Sequence, residues 1–307
     1  MGVPVDLNFV RLMFTLKLAA GSVDPYALFA MRPYFIESFR QTVDCGQPQC
    51  EPCPKAATCP YHQIFTQPLS VDPVALKRYQ KPSLPFVFDI PVLPPTPAKG
   101  CTVELGLIIT GSAVHYLAEH IAATDAMLRN SGFRRRLNAS ILKVETVGYR
   151  GVRNSIMEPG GALKTGLLEI LSVRGLQEAV VLPSGTVTIS IMTPMRIMGE
   201  GKPSRELSFS PFVRALFRRL SSLAYYYGSE EAELDYKWLA DQSRLVECVD
   251  ADFRWVEWGN KWRGLVGAGT FAGDLSEYHP FLLAGECLHV GKGASFGLGR
   301  FLIDKSV

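Results

Sequence analysis

Strand and helix patterns recur in the same order along this chain, and that recurrence limits the possible folds more than any single motif. Apolar alternation over residues 8–19 predicts a strand, and apolar residues at helical spacing predict a helix over Arg32–Val43. The patterns that follow predict a strand, a strand, a helix and a strand, at Phe86–Val92, Thr102–Thr110, Ala113–Arg129 and Ser140–Tyr149. The first half is therefore predicted to have the order β-α-β-β-α-β.

The second half repeats this order. Its clearest helix covers Ser210–Tyr227, with Ser210 as the N-cap, Pro211 in the first turn and Gly228 after the last turn. The remaining strands are predicted at Thr186–Met192, Leu245–Trp258, Leu265–Phe271 and Arg300–Ile303. A short helix is predicted at Pro280–Leu288, before the last strand. Two such units predict an α+β fold of tandem ferredoxin-like (RRM-like) domains, each an antiparallel sheet with helices on one face.

The chain has 307 residues, of which 47% are hydrophobic, and this is enough for two domains of ordinary size. We predict domains at residues 1–155 and 156–307, with the joint inside Val152–Leu182, a stretch that contains Pro159-Gly160-Gly161. A cysteine-rich insertion near residues 45–62 interrupts the first domain. The formal net charge of +3 is too small to identify a polyanionic partner by itself.

The sequence predicts a cytoplasmic protein without a membrane partner. Charged residues at Asp6, Arg11 and Lys17 interrupt the apolar N-terminus, so no signal peptide is expected, and no uncharged apolar run is long enough to span a bilayer. Seven cysteines in a chain without an export signal are expected to be reduced thiols.

Four of these cysteines lie close together in the sequence, at Cys45, Cys50, Cys53 and Cys59. Four thiolates within one short segment match the ligand set of a tetrahedral zinc site, and we predict structural zinc here. An iron–sulfur cluster is the alternative metal, because cysteine followed by proline also ends the ligand runs of such clusters. Free structural thiols remain the third interpretation.

A glycine-rich loop lies near the C-terminus, where four of the nine residues 291–299 are glycine. Glycine permits positive φ and close backbone approach, so the loop amides can contact phosphates while Lys292, Ser295 and Arg300 add polar and charged contacts. The spacing matches neither a dinucleotide-binding fingerprint nor a Walker A loop. An ordinary glycine-rich turn is the alternative.

Basic residues that flank the strand Ser140–Tyr149 form a second candidate RNA surface, because arginine makes bidentate phosphate contacts and stacks on bases. They are Arg134, Arg135, Arg136, Lys143, Arg150 and Arg153. Arg214 and Arg218 share one face of the helix Ser210–Tyr227. A solvated charged surface is the alternative for the first group.

Several segments resemble one family. They are LHVGKGASFGLGRF, the preceding GLVGAGTFAGDL, the basic helix FVRALFRRLSSLAYYYG, and the upstream GLIITGSAVHYLAEHIAATDAML and GFRRRLNASILKVETV. Together these segments resemble the CRISPR pre-crRNA-processing endoribonucleases of the RAMP superfamily, over most of residues 100–307. The resemblance implies two ferredoxin-like domains, binding of CRISPR repeat RNA, and cleavage without a metal to a 2′,3′-cyclic phosphate and a 5′-hydroxyl. It also implies that the protein can stay with its crRNA in an effector complex with other Cas proteins.

Metal-free RNA cleavage needs a proton acceptor for the 2′-hydroxyl, a proton donor for the leaving oxygen and stabilisation of the charge on phosphorus. Members of the family often carry a histidine on the first helix, whereas the matching stretch Met31–Arg40 contains none and has Glu37 in that place. The catalytic candidates are Arg32, Tyr34, Arg40 and His289. The missing histidine makes a non-catalytic crRNA-binding subunit the alternative function.

Overall fold

The computed structural model describes residues 7–45, 47, 50, 53–67, 69–73, 75, 82–199, 202–228 and 234–305. The chain divides into two compact units between Ile170 and Leu171, and the described residues Leu7 and Asn8 group with the second unit. We call Phe9–Ile170 the N-terminal unit and the part from Leu171 onward the C-terminal unit. The division lies inside the predicted joint, and the predicted boundary at residue 155 stays a prediction.

The N-terminal unit contains the predicted order of strands and helices, together with one additional short helix and one additional strand. Its elements are β1 (Asn8–Leu18), α1 (Arg32–Thr42), β2 (Phe86–Asp89), β3 (Thr102–Thr110), α2 (Leu117–Arg129), α3 (Ser131–Arg134), β4 (Ala139–Val147) and β5 (Arg153–Met157). A further short strand, β6 (Ile170–Ser172), spans the division between the units. The strand order β2-β3-β1-β4-β5 is antiparallel throughout, which is the ferredoxin-like order with β5 added at one edge.

Strand β1 lies in the middle of this sheet, between β3 and β4, and its side chains alternate between a buried and a half-buried face. Phe14 and Leu16 are fully buried, while Thr15 and Lys17 lie on the other face. Helix α1 packs its own aromatic residues into the same core. The ring of Phe35 lies 4.9 Å from that of Phe88 on β2, in an edge-to-face arrangement.

The C-terminal unit repeats the arrangement. Its elements are α4 (Val173–Ala179), β7 (Thr186–Met195), β8 (Met198–Gly199), β9 (Lys202–Pro203), α5 (Phe209–Tyr227), α6 (Tyr236–Gln242), β10 (Glu247–Trp258), β11 (Trp262–Ala272), α7 (His279–Leu288) and β12 (Phe301–Ile303). The main sheet has the order β10-β11-β7-β12, again antiparallel, and β8 pairs with β9 separately. Both units therefore have the predicted ferredoxin-like topology.

The predicted start of the long helix α5 differs from the observed one. Its N-cap is Ser208, which makes no side-chain capping bond, and the helix begins at Phe209 because this ring is buried against Phe271 and Tyr278. The hydroxyl of Ser210 instead accepts a hydrogen bond from Ser243 at 2.8 Å. Tertiary packing thus extends the helix beyond the residue that the capping pattern selects.

Within the described residues, the structure contains no helix that combines the length and the apolar character needed to cross a bilayer.

Candidate nucleic-acid interface

An exposed basic turn, Arg134–Arg136, lies at the end of α3 in the N-terminal unit. The Oδ1 atom of Asn130 accepts the N–H groups of Gly132 at 2.9 Å and Phe133 at 3.2 Å, which caps the short helix. Phe133 is fully buried and anchors the turn, whereas all three arginines are exposed. The fold therefore presents three guanidinium groups to solvent on a backbone that the cap and the anchor hold in place.

Tyr34 on α1 lies against this basic turn. Its phenol oxygen accepts a hydrogen bond from Nε of Arg136 at 3.5 Å, and its ring centroid lies 5.3 Å from that of Phe133. Helix α1 is held in place by the fully buried side chains of Phe35 and Phe39. The structure therefore brings together one predicted catalytic residue, Tyr34, and one predicted RNA-binding residue, Arg136.

The other predicted catalytic residues of α1 have different surroundings. Arg32 is exposed in the first turn of the helix. The guanidinium of Arg40 lies 5.9 Å from the ring centroid of Tyr61, and its backbone carbonyl accepts the N–H of Cys45 at 3.2 Å. Arg40 thus contacts the cysteine-rich segment, while Glu37, in the place of the family's histidine, is exposed.

Two of the predicted RNA-binding cations are already paired with carboxylates. Arg153 binds both oxygens of Glu104 and lies 3.7 Å from Glu145, and the ammonium of Lys143 lies 2.9 Å from Glu145. The hydrogen bond from Arg153 lowers the pKa of Glu104. Carboxylates therefore partly neutralise the charge of these two cations, whereas Arg150 is exposed in the turn between β4 and β5.

Of the five histidines, all of which lie among the described residues, only His115 is exposed. His120 on α2 is fully buried, and its ring centroid lies 5.0 Å from that of Phe39. Burial lowers the pKa of His120 to about 4. This histidine therefore packs beside the buried residues of α1, and it is neutral at neutral pH.

His289 follows α7 and is 1% exposed, with its backbone in the left-handed region at φ 56°. Its pKa is lowered well below the usual value by burial and by the charges of Arg300 and Arg219. A neutral, enclosed imidazole is the environment of a structural histidine. The catalytic role of His289 stays a prediction.

Most amides of the glycine-rich loop are bonded to backbone carbonyls, four of them within the loop and two at Arg196 and Pro194, beside the end of β7. Six of them donate to backbone carbonyls, namely those of Lys292, Ala294, Phe296, Gly297, Leu298 and Gly299. A Cβ atom at Gly299 would lie 1.8 Å from the carbonyl oxygen of Val290, so this close approach requires glycine. Because these six donors are occupied and Ser295 is buried, the charges of Lys292 and Arg300 remain the loop's main predicted RNA contacts.

Helix α5 carries the predicted pair Arg214 and Arg218, both exposed, and a third arginine that the sequence interpretation missed. Nε of Arg219 donates to the carbonyl of Leu288 at 2.8 Å, at the end of α7. Burial lowers the pKa of Arg219 to about 10. The sequence does indicate that Arg219 lies on the buried face of the helix. The positions three and four residues away on either side of it are small or apolar, at Ala215, Leu216, Ser222 and Leu223.

The four predicted metal ligands are free cysteines, each half-buried. Cys45, Cys53 and Cys59 line one pocket of about 320 Å³, and the N–H of Cys53 donates to the carbonyl of Cys50 at 2.8 Å. Among the described residues, no three cysteine, histidine or acidic side chains are grouped as metal ligands. As placed, the thiols therefore do not form a closed tetrahedral shell.

Comparisons with known proteins agree with this architecture. A family model of an N-terminal domain, AF_1859_N, matches residues 7–167, and the model of the CRISPR-associated endoribonuclease Cas6 matches residues 189–301. The first model covers more than half of the chain, so the chain belongs to the family that carries the AF_1859_N domain, and its C-terminal half is similar to the Cas6 endoribonuclease domain. No curated protein sequence matches the chain at a significant level.

Solved structures of Cas6 proteins share the fold of the whole chain. A partial Cas6-RT-Cas1–Cas2 complex is 14% identical with a TM-score of 0.59, and the match covers 100% of this chain and 48% of that one. The chain thus spans about half the length of that relative. A Cas6 product complex is 14% identical with a TM-score of 0.57, covering 96% of this chain and 100% of that one. Cas6 from Thermus thermophilus is 14% identical with a TM-score of 0.51, covering 97% and 99%.

Proposed function

We propose that this protein binds CRISPR repeat RNA and cleaves precursor crRNA by metal-independent transesterification. In this reaction the 2′-oxygen attacks the adjacent phosphorus, the bond from phosphorus to the 5′-oxygen breaks, and the products are a 2′,3′-cyclic phosphate and a 5′-hydroxyl. The 2′-hydroxyl gives up one proton and the leaving 5′-oxygen takes one up, so no water is consumed in this step. A function in the cytoplasm, with other Cas proteins as partners, follows from this proposal.

The observation that carries the proposal is the contact between Tyr34 and Arg136. A phenol donates or orients a proton, and a guanidinium stabilises the negative charge that develops on the phosphate oxygens. These two groups touch on an exposed surface, beside Arg134 and Arg135, which supply charge for the flanking phosphates. Arg32, exposed in the first turn of α1, is the fourth cation proposed for this site.

The proton acceptor of the proposed reaction is not a histidine of α1, because this helix contains none. Glu37 is exposed where the family often has a histidine, and His120, the histidine that contacts α1, is buried and uncharged at neutral pH. We propose that charge stabilisation by arginine and proton donation by Tyr34 supply most of the rate enhancement. The cleavage rate is then expected to show no inflection near pH 6.5, since the pKa values of both His120 and His289 are lowered below this range.

Cleavage of repeat RNA in excess EDTA tests the proposal, with end-group analysis of the products. Tyr34→Phe is expected to reduce the single-turnover rate by about 10²-fold or more, the usual contribution of a general acid. Tyr26→Phe is the matched control, because it removes the same hydroxyl from a ring that packs against Phe29. Arg40→Ala and His289→Ala test the two remaining catalytic candidates.

The alternative function is a non-catalytic crRNA-binding subunit, which the absence of histidine from α1 favours. Tight repeat binding without cleavage, under conditions in which a Cas6 nuclease cuts its own repeat, would establish it. An equal rate for Tyr34→Phe and wild type would leave the nuclease in place and remove Tyr34 from its mechanism.

We also propose that Cys45, Cys50, Cys53 and Cys59 bind a structural zinc ion, with an iron–sulfur cluster as the alternative occupant. Four thiols within one segment, three of them around one pocket, support this proposal. The thiols must move together to form the site, and no catalytic step passes through the metal. One zinc per chain by elemental analysis, reduced by Cys53→Ser, is the expected result; visible absorbance of an iron cluster would select the alternative, and metal-free protein would refute both.

A further inference from the structure

Strand β10 forms one edge of the main sheet in the C-terminal unit. It pairs with β11 from Glu247 to Trp258, and within the described residues no strand pairs with its other side. Every second residue of an antiparallel edge strand directs its N–H and C=O groups away from the sheet, so this edge presents a row of hydrogen-bond donors and acceptors. Such a row can pair with a strand of another chain.

The first half of β10 is open to solvent on both faces. Residues 247–252 are all exposed, and neighbouring side chains of a strand point to opposite faces. A bulge at Val249 interrupts the register with β11 between Cys248 and Asp250, and the pairing is regular from Asp250 to Trp258. The stretch that can accept another strand therefore begins at Asp250.

Two opposite charges lie on one face of this regular stretch. Asp252 and Arg254 are two positions apart, so their side chains share a face, and both are exposed. Within the described part of the chain, neither side chain belongs to an ion pair, whereas Glu257 lies 2.7 Å from Arg263 across the hairpin. The charges of Asp252 and Arg254 are therefore available to a second strand.

The positions of these charges select one way of pairing two copies of β10. In an antiparallel pair about a twofold axis, the residue before the axis faces the residue after it in the second copy. An axis at Phe253 places Asp252 opposite Arg254 twice, and no like charges of the strand then face each other. An axis at Asp252 or Arg254 places that charge opposite itself, and an axis at Ala251 places Asp250 opposite Asp252.

We infer that β10 joins a second copy of this chain edge to edge, in an antiparallel pairing centred on Phe253. The same axis places the half-buried Trp255 opposite the exposed Ala251, so a large side chain meets a small one on the other face. The two charge pairs fix the register, and the backbone hydrogen bonds join the sheets. Because one pair of strands buries a small area, the dimer is reversible. The inference is independent of the proposed RNA cleavage.

Sedimentation velocity at low ionic strength, over a range of protein concentrations and without RNA, tests this dimer with the full chain. The mass of the wild type is expected to rise from that of one chain to that of two. Arg254→Glu and Asp252→Lys each place like charges opposite each other twice, so each is expected to raise the dissociation constant about tenfold or more. Arg244→Glu is the matched control, because Arg244 is an exposed arginine of the same unit outside β10.

A mixture of the Arg254→Glu and Asp252→Lys proteins separates a charge effect from a folding defect. In the mixed pair, opposite charges again face each other at both positions, so a heterodimer is expected with about the dissociation constant of the wild type. A wild type that stays monomeric at every concentration would overturn the inference. A dimer that both single variants retain, or a mixture that stays monomeric, would also overturn it. Loss of RNA cleavage leaves the measured mass unchanged, so the two proposals fail separately.

Discussion

The basic turn of the N-terminal unit and the glycine-rich loop of the C-terminal unit were predicted to do the same work, yet they are built in different ways. The basic turn has a fixed backbone and exposed side chains, because Asn130 caps α3 and Phe133 anchors it. The glycine-rich loop has most of its amides bonded to backbone carbonyls of the protein, and it buries Ser295. The basic turn therefore exposes its charged side chains to solvent, whereas the glycine-rich loop has a fixed backbone shape with only a few charged side chains around it.

This difference shows that a glycine-rich segment and an arginine-rich segment need different evidence before an RNA-binding role is assigned to them. In the loop, glycine is required where backbone approaches backbone, as at Gly299 and Val290. In the N-terminal unit, the charge that each cation has available for a phosphate depends on its neighbours. Arg136 contacts a phenol, whereas Arg153 contacts two carboxylates. Substitutions in each region are expected to have different consequences.

The largest expected effect is on stability, from Gly299→Ala in the loop. The added Cβ would lie 1.8 Å from the carbonyl oxygen of Val290, at φ +66°, so both steric overlap and backbone strain contribute. We expect a loss of about 2–5 kcal/mol in the free energy of unfolding, measured in urea. Gly151→Ala has a similar φ of +74° with open space around the Cβ, and it should cost only about 1–2 kcal/mol. Equal losses would mean that backbone strain, not close packing, explains the loop glycine.

The next effect is the acid sensitivity of the core beside α1, which comes from His120. Its folded pKa of about 4 lies below the usual value of 6.5, so the unfolded chain binds the proton more tightly between these two values. The stabilisation that this pKa difference gives the folded state is fully present above pH 6.5. It falls by about 3 kcal/mol as the pH drops towards 4. His120→Leu should flatten this part of the stability curve in urea unfolding at pH 5 and pH 7. An unchanged pH dependence in His120→Leu would show that other groups cause it.

The smallest effect separates paired from unpaired cations in the N-terminal unit. Arg136→Gln should reduce RNA affinity by about tenfold and lower the salt dependence of binding by about one phosphate contact. Arg153→Gln should change both much less, because Glu104 and Glu145 already neutralise Arg153. Filter binding over a range of salt concentrations measures both quantities. Equal losses from the two variants would show that RNA displaces the carboxylates, and the comparison between paired and unpaired cations would no longer hold.

The sequence by itself determined the repeated β-α-β-β-α-β order and hence the fold. Local periodicity carries that information, and the strand Thr102–Thr110 was predicted with its observed bounds. Several shorter elements were missed, including β5, α4 and α6, because a few residues hold too little periodicity to be recognised. The start of α5 was also misplaced, since burial of Phe209 outweighed the capping preference of Ser210.

Only the tertiary structure decided which candidate residues meet. Tyr34 and Arg136 are 102 positions apart, and no local pattern reports their contact. The pairing of Arg153 with Glu104, the burial of His289 and the enclosed guanidinium nitrogen of Arg219 likewise depend on elements that are distant in sequence. The physical reason is that charge, hydrogen bonding and burial are properties of neighbours in space, whereas the sequence directly records only neighbours along the chain.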